Sequence, residues 1–341
     1  MNWDDSYLFK PDDIQAAYAA GAEGVIYNAA EQEEFEGHVK DSGNNPVGAE
    51  VAHEYHFADE FKGQLVIPFV HVVKRYPNMW PGPAQLRGDC VSHSCRSALA
   101  GTVTMESHLG IPDSESGKIE EAPDVSPEAE AQGVFATESH YWHRGKDSDG
   151  WHIGAAAKVV LSKSGAVIRK NYPDIGVDLT RYDPKMAGRW GKTPPPPEVV
   201  DATNNHLFRT ATTLKSDEEW RDFLGKGFFI GHDGSEGFDT KRLDANGVAR
   251  RKSSWSHSMA GIGYDDRPET HRTYGCAAVL ILNSWGSNSV VGPRRIRGTD
   301  IDIPKGSFWA LTKDFNRRAV AFSGANGWAR KSLPDLNPGF S

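Results

Sequence analysis

Two kinds of periodicity divide this chain, and the boundary between them limits the folds open to it. After residue 226 the apolar residues come in short runs broken by glycine: Phe228-Phe229-Ile230, Met259-Ala260-Gly261-Ile262, Ala277 to Leu282 and Phe308-Trp309-Ala310-Leu311. Runs of that length bounded by glycine read as strands. Before residue 226 the patterning is helical. Residues 91–108 carry Ala98, Leu99, Ala100, Val103 and Met105 without a proline, which predicts a buried helix opening at Cys90. Gly154 to Ser162 reads as an alanine-rich helix. Ser216 opens another through Leu224, with Glu218 and Glu219 in its first turn and Gly225 at its end. Helices followed by strands, with no repeat of fixed period, predict an α+β protein whose two kinds of element segregate.

Upstream, Pro11 to Ala20 and Ala29 to Phe35 read as short helices, and Leu65-Val66-Ile67-Pro68-Phe69-Val70 as a buried extended segment. A proline- and glycine-rich loop, Tyr76 to Pro83, leads into Gln85-Leu86-Arg87-Gly88-Asp89-Cys90. The acidic stretch at 112–130 and the prolines Pro194–Pro197 read as surface loops. The expected division is an N-terminal extension over 1–64, one domain over 65–315 and a C-terminal tail over 316–341.

Composition narrows the function. Apolar residues at 38 %, with ten Trp and fifteen Phe, describe a chain that buries a core. Its 38 basic and 46 acidic side chains leave a net charge of −8, which argues against a nucleic-acid or anionic-membrane partner. No run of about eighteen apolar residues occurs, and Met1-Asn2-Trp3-Asp4-Asp5 lacks the pattern of a secretory signal. Cys90, Cys95 and Cys276 are too few and too odd in number for a disulfide framework. A reducing compartment, the cytoplasm, is therefore expected.

An odd thiol at a helix start directs attention to nucleophilic chemistry. A cysteine nucleophile acts as a thiolate, and a helix N-terminus or a neighbouring histidine lowers its pKa. Gly88 and Asp89 let the chain turn sharply so that the first amides of the helix face Cys90. Thirteen histidines are available. His257 stands out by its context, Trp255-Ser256-His257-Ser258-Met259-Ala260-Gly261-Ile262-Gly263-Tyr264, a strand too rich in glycine to crowd the ring. Asn283, in Ile281-Leu282-Asn283-Ser284-Trp285-Gly286, follows the next apolar strand and can hold the imidazole by its other nitrogen.

Together, Cys90 in a Gln-x-x-Gly-x-Cys context, His257 before Gly-x-Gly-Tyr, and Asn283 in Asn-Ser-Trp-Gly resemble the papain family in that family's order. The resemblance covers roughly residues 65–315, and Gly306-Ser307-Phe308-Trp309 resembles the family's late glycine-aromatic strand. It implies a two-lobe fold, with the cysteine heading the helix of one lobe and the histidine and asparagine on the β-rich other. It further implies cleavage of a protein or peptide substrate through an acyl-enzyme. Gln85 and the Cys90 amide would form the oxyanion hole, and Trp285 would shield the His257–Asn283 contact. The Gly-Asp-Cys-Val-Ser and Trp-Ser-His-Ser-Met contexts look most like papain-like proteins carried by bacteriophages, which implies the host cytoplasm or a virion, with other virion proteins as partners. Three departures stand out. Gln85 lies five residues before the cysteine where six is usual, Val91 replaces a tryptophan, and Arg87 occupies a position where a disulfide cysteine is common.

Other residues have plainer readings. Cys95 and Cys276 are expected in the core. His140, His143 and His152 cluster with Tyr141, Trp142 and Trp151 but lack a carboxylate or cysteine to complete a ligand set, so a surface aromatic loop is expected. Asp147-Ser148-Asp149-Gly150 misplaces the glycine of a calcium loop and lacks its terminal glutamate. No metal or cofactor is expected. The functions to be separated are a peptidase, a peptidoglycan-cleaving lysin and a non-catalytic virion component that retains the fold, with residues 1–64 as a docking arm or a pro-segment in the cleft.

Overall fold

The computed structural model describes residues 61–110, 121–144, 149–162, 166–204, 210–214, 216–314 and 319–323. The helices predicted at Pro11–Ala20 and Ala29–Phe35 lie outside the described residues. From β1 (Leu65–Val66) the chain passes into α1 (Phe69–Arg75). The extended segment predicted over Leu65–Val70 is therefore confined to its first residues. The reason is Pro68, which sits at φ −60° and ψ −21°, already helical, while the residue before a proline is pushed toward extended geometry.

α2 (Cys90–Leu109) fulfils the prediction of a buried helix and ends at Gly110, whose φ of 65° is the left-handed conformation that commonly stops a helix. Buried residues lie all around it, including Ser92, His93, Arg96 and Glu106. Such a helix admits its neighbours only where its side chains are small. A Cβ on Gly101 would stand 2.6 Å from the ring of Phe229.

The helical part continues with α3 (Pro127–Ala131), α4 (Glu138–Tyr141), α5 (Ile153–Ser162), α6 (Pro184–Lys192) and α7 (Pro197–Asn204). Between α5 and α6, β2 (Asn171–Tyr172) pairs with β3 (Val177–Asp178). Proline opens α3, α6 and α7, where its missing N–H costs nothing. Ser126 caps α3 by accepting from the Ala129 amide at 3.2 Å, and Asp183 caps α6. The acidic stretch and the proline run, both expected as loops, are irregular over 121–126 and 194–196 and pass into α3 and α7 at their last residues, while residues 112–120 lie outside the described residues. A small apolar cluster of Ala136, Val167, Val177, Leu179, Trp190 and Val199 lies here. Beside it the fully buried Arg169 pairs with fully buried Glu138 at 3.1 Å.

The β-rich part holds β4 (Thr210–Leu214), α8 (Asp217–Gly225), β5 (Ile230–Phe238), β6 (Arg251–Asp265), α9 (Pro268–Tyr274), β7 (Ala278–Leu282), β8 (Ser307–Leu311) and β9 (Ala319–Ser323). Among the described residues seven strands form one antiparallel sheet, in the order β4-β9-β5-β6-β7-β8 with β1 added against β6. Because β9 lies between β4 and β5, the sheet runs past residue 315, where a tail was expected. The strand predicted from Phe228 starts at Ile230, since the Phe229 amide donates to Thr102 Oγ1 on α2 at 3.0 Å instead of joining the ladder. α2 packs across β5 and β6, tied by Ser94 Oγ donating to the Met259 carbonyl at 2.6 Å. The architecture is α+β, with Cys90 on the helical side, His257 on the sheet and Asn283 directly after β7.

Candidate active site

Cys90 is the first residue of α2 and is fully buried. The turn before it is held from several sides. The Asp89 amide donates to the Arg87 carbonyl at 2.9 Å, and Tyr182 Oη donates to Asp89 Oδ2 at 2.8 Å. Asp89 makes no capping bond to the first turn of α2. His93, one turn along, lies buried with Nε2 3.6 Å from Asp89 Oδ2 and its ring edge-on to Tyr182 at 5.0 Å. Burial lowers the His93 pKa despite the pull of Asp89.

His257 comes from the middle of β6, opposite Gly234 of β5. Asn283 follows β7 directly, with its amide bonded to the Gly306 carbonyl at 3.1 Å. Leu282 stands opposite Ala260, so Asn283 lies within diagonal reach of His257 across neighbouring strands. Its Oδ1 sits 2.9 Å from His257 Nε2. An amide oxygen only accepts, so Nε2 carries the proton and Nδ1 is the basic nitrogen. Trp285 stacks on the imidazole at 4.6 Å and 24°, and Trp255 meets Trp285 edge-on at 4.8 Å. All these groups are buried. Burial lowers the His257 pKa to about 3; the Asn283 bond opposes this, and His93 and His232 add to the lowering. The ring is therefore neutral, and a proton acceptor, at neutral pH.

The approach of the two halves follows from a nearby contact. Ser94 is one turn beyond Cys90 on the same face of α2, and Met259 is two residues beyond His257 on the same face of β6; these two are hydrogen-bonded. His257 also lies in the field of His93, on that same helix.

Gln85 is fully buried and bridges the two halves. Its amide donates to the Ser284 carbonyl at 2.8 Å, its Nε2 donates to the Arg87 carbonyl at 2.9 Å, and its Oε1 accepts from Ser284 Oγ. Five-residue spacing thus places the side chain over the turn that leads to Cys90, locked to the residue after Asn283.

Cys95 is buried, as expected, whereas Cys276 is only half-buried at the end of α9. The aromatic and histidine cluster is not the surface loop expected: His140, Tyr141, Trp151 and His152 are buried, and Trp142 and His143 are half-buried. His140 Nε2 pairs with the Ala156 carbonyl at 3.3 Å, and burial lowers its pKa to about 4. Among the described residues no group of three His, Cys, Asp or Glu is arranged to hold a metal, and no helix is long and apolar enough to cross a membrane.

Several residues at the site escaped the sequence reading. Ser284 lay inside a motif read only for its asparagine and tryptophan. His93 was one residue of a predicted core helix, and Tyr182 lay between elements with no motif around it. Asp149, weighed only as a calcium ligand, binds the turn before Cys90 instead.

No protein-family model matches the chain, and no curated protein matches it. Distant structural likenesses exist. Xylellain, a cysteine protease from Xylella fastidiosa, is 14 % identical with a TM-score of 0.45, over 71 % of this chain and 81 % of that one. Procathepsin B from Trypanosoma congolense is 10 % identical with a TM-score of 0.44, over 94 % and 92 %. The bromelain protease from Ananas comosus, solved with the E64 inhibitor, is 11 % identical with a TM-score of 0.40, over 73 % and 96 %.

Proposed function

We propose that this protein is a papain-like cysteine peptidase in which Cys90 is the nucleophile, His257 the base and Asn283 the group that orients it. The observation that carries the reading is the 2.9 Å bond between His257 Nε2 and Asn283 Oδ1, roofed by Trp285, on the strand that packs against the helix opened by Cys90. A neutral imidazole held by Nε2 presents Nδ1 to a thiol.

In this reading Nδ1 of His257 takes the Cys90 proton as the sulfur attacks a peptide carbonyl carbon, and the carbonyl electron pair moves to the oxygen. The Gln85 side-chain amide and the Cys90 backbone amide stabilise that oxyanion. His257 then returns the proton to the leaving amine as the C–N bond breaks, and water hydrolyses the resulting thioester. Cys90, His257, Asn283 and Gln85 are all fully buried, so substrate reaches the sulfur only when covering groups move aside.

The test is incubation of the full chain with denatured protein and, separately, with peptidoglycan fragments, the products being read by mass spectrometry for wild type and Cys90→Ala. Cleavage of the protein substrate, abolished in the variant, supports the peptidase reading. Cleavage of peptidoglycan alone would replace it with a lysin. Cleavage of neither, under reducing conditions, favours a virion component that retains the fold without its chemistry.

A further inference from the structure

An oxyanion hole works only if its donors are fixed before the charge develops. Here both donors sit at the ends of one short turn, Gln85 at its start and the Cys90 amide at its close. The Gln85 side chain is itself steered by the Arg87 carbonyl within that turn. Ser284 fixes the oxygen end of the Gln85 side chain, and whatever holds Arg87 and Gly88 fixes its donor end and the turn that leads to the Cys90 amide.

One carboxylate holds both. Asp149 Oδ1 accepts from Arg87 Nε at 3.1 Å, and its Oδ2 accepts from the Gly88 amide at 3.0 Å. Tyr141 Oη donates to the same Oδ1 at 2.6 Å and lies 3.3 Å from the Gly88 carbonyl. The Gly150 amide, next in sequence, donates to that carbonyl at 3.2 Å, and Arg87 Nη1 reaches the Pro184 carbonyl at 3.1 Å. The Arg87 and Asp149 side chains are 10 % and 13 % exposed, so the pair is poorly screened. Burial alone would raise the Asp149 pKa, but Arg87 and the hydrogen bonds outweigh it and hold the carboxyl below its usual range.

We infer that Asp149 is a positioning residue for the oxyanion-binding turn: through Arg87 and the Gly88 amide it aims Gln85 and the Cys90 amide at the developing charge. The inference rests on the proposed cysteine-peptidase reading. The clamp touches neither substrate nor sulfur, so its effect is confined to steps that build negative charge on a carbonyl oxygen.

Two small reagents separate those steps. Acetylation by p-nitrophenyl acetate forms an S–C bond, expels p-nitrophenolate and passes through a tetrahedral oxyanion. Alkylation by iodoacetamide forms an S–C bond, expels iodide and has no oxyanion. Both rates are measured at Cys90 in the full chain, with Cys90→Ala supplying the background of the other thiols. Asp149→Asn misaligns the donors without removing them, so it is expected to slow acetylation about 10- to 100-fold, at or below the roughly 100- to 1,000-fold loss seen when an oxyanion donor is deleted, while alkylation, which builds no oxyanion, stays unchanged. Tyr141→Phe, which removes only the hydroxyl, serves if the first variant does not fold and is expected to slow acetylation several-fold with alkylation again unchanged. Unchanged acetylation, or an equal fall in both rates, would overturn the inference. If wild type reacts with neither reagent at Cys90, the nucleophile assignment fails first.

Discussion

Removing the Asn283 side chain is the sharpest perturbation of the His257 geometry. Asn283→Ala deletes the acceptor 2.9 Å from Nε2 and leaves that N–H buried beside Trp285. A net hydrogen bond is worth about 1 kcal/mol, and a buried donor left unmade costs about 1–3 kcal/mol. With a tenfold rate change for each ~1.4 kcal/mol, the site should slow roughly 5- to 150-fold. The Trp285 stack survives the change, and aromatic contacts of that kind contribute about 0.5–1.5 kcal/mol, so the ring keeps part of its orientation and a loss near tenfold is expected. The assay is the second-order rate of Cys90 alkylation and acetylation at pH 7, with folding checked by circular dichroism. Both rates should fall together, since His257 serves both. Rates within twofold of wild type in a folded variant would refute the claim that Asn283 orients the imidazole.

Two further expectations concern stability. Burial lowers His257 to about 3 and His140 to about 4, whereas an unfolded chain protonates its histidines near 6.5. Below that pH the unfolded state binds more protons, so stability should decline as pH falls from about 6.5 toward 4. Urea midpoints measured between pH 7.5 and 4.5 should drop steadily, with a shallower slope in His140→Asn; a flat profile would contradict the burial of these rings. Gly101→Ala should lower the melting temperature. Helix propensity alone favours alanine by about 1 kcal/mol, but the new Cβ would lie 2.6 Å from Phe229, and overpacking costs about 1–3 kcal/mol. An unchanged or raised melting temperature would show that Phe229 gives way freely.

Much of the frame was legible in the chain. The apolar pattern after Cys90 marked α2, Ser216 and Gly225 bracketed α8, and glycine-broken runs marked the sheet strands. These signals are local, carried by periodicity and caps. Local signals compete at Pro68 and Pro197: each lies in a stretch whose composition suggests extended or irregular chain, yet each sits where a helix begins, because proline's fixed φ suits a first helical turn. The contribution of β9 to the sheet depends on pairing with strands about a hundred residues away, which no short window reports. The site divides in the same way. His257 and Asn283 stood in recognisable contexts, but Ser284 and Asp149 act through hydrogen bonds to residues 199 and 61 positions away. Burial of the His140 and Trp151 cluster was hidden for a related reason, since polar aromatic residues look alike in a core and on a surface.

The central claim is that Cys90 is a nucleophile activated by His257, and covalent labelling tests it most directly. The native chain, Cys90→Ala and His257→Ala are each treated with an epoxide inhibitor of the E-64 type, and intact masses and modified peptides are read. One adduct on Cys90 is expected in the native protein, none at that position in Cys90→Ala, and strongly slowed labelling in His257→Ala. An unmodified native protein, or equal labelling at Cys95 or Cys276, would contradict it.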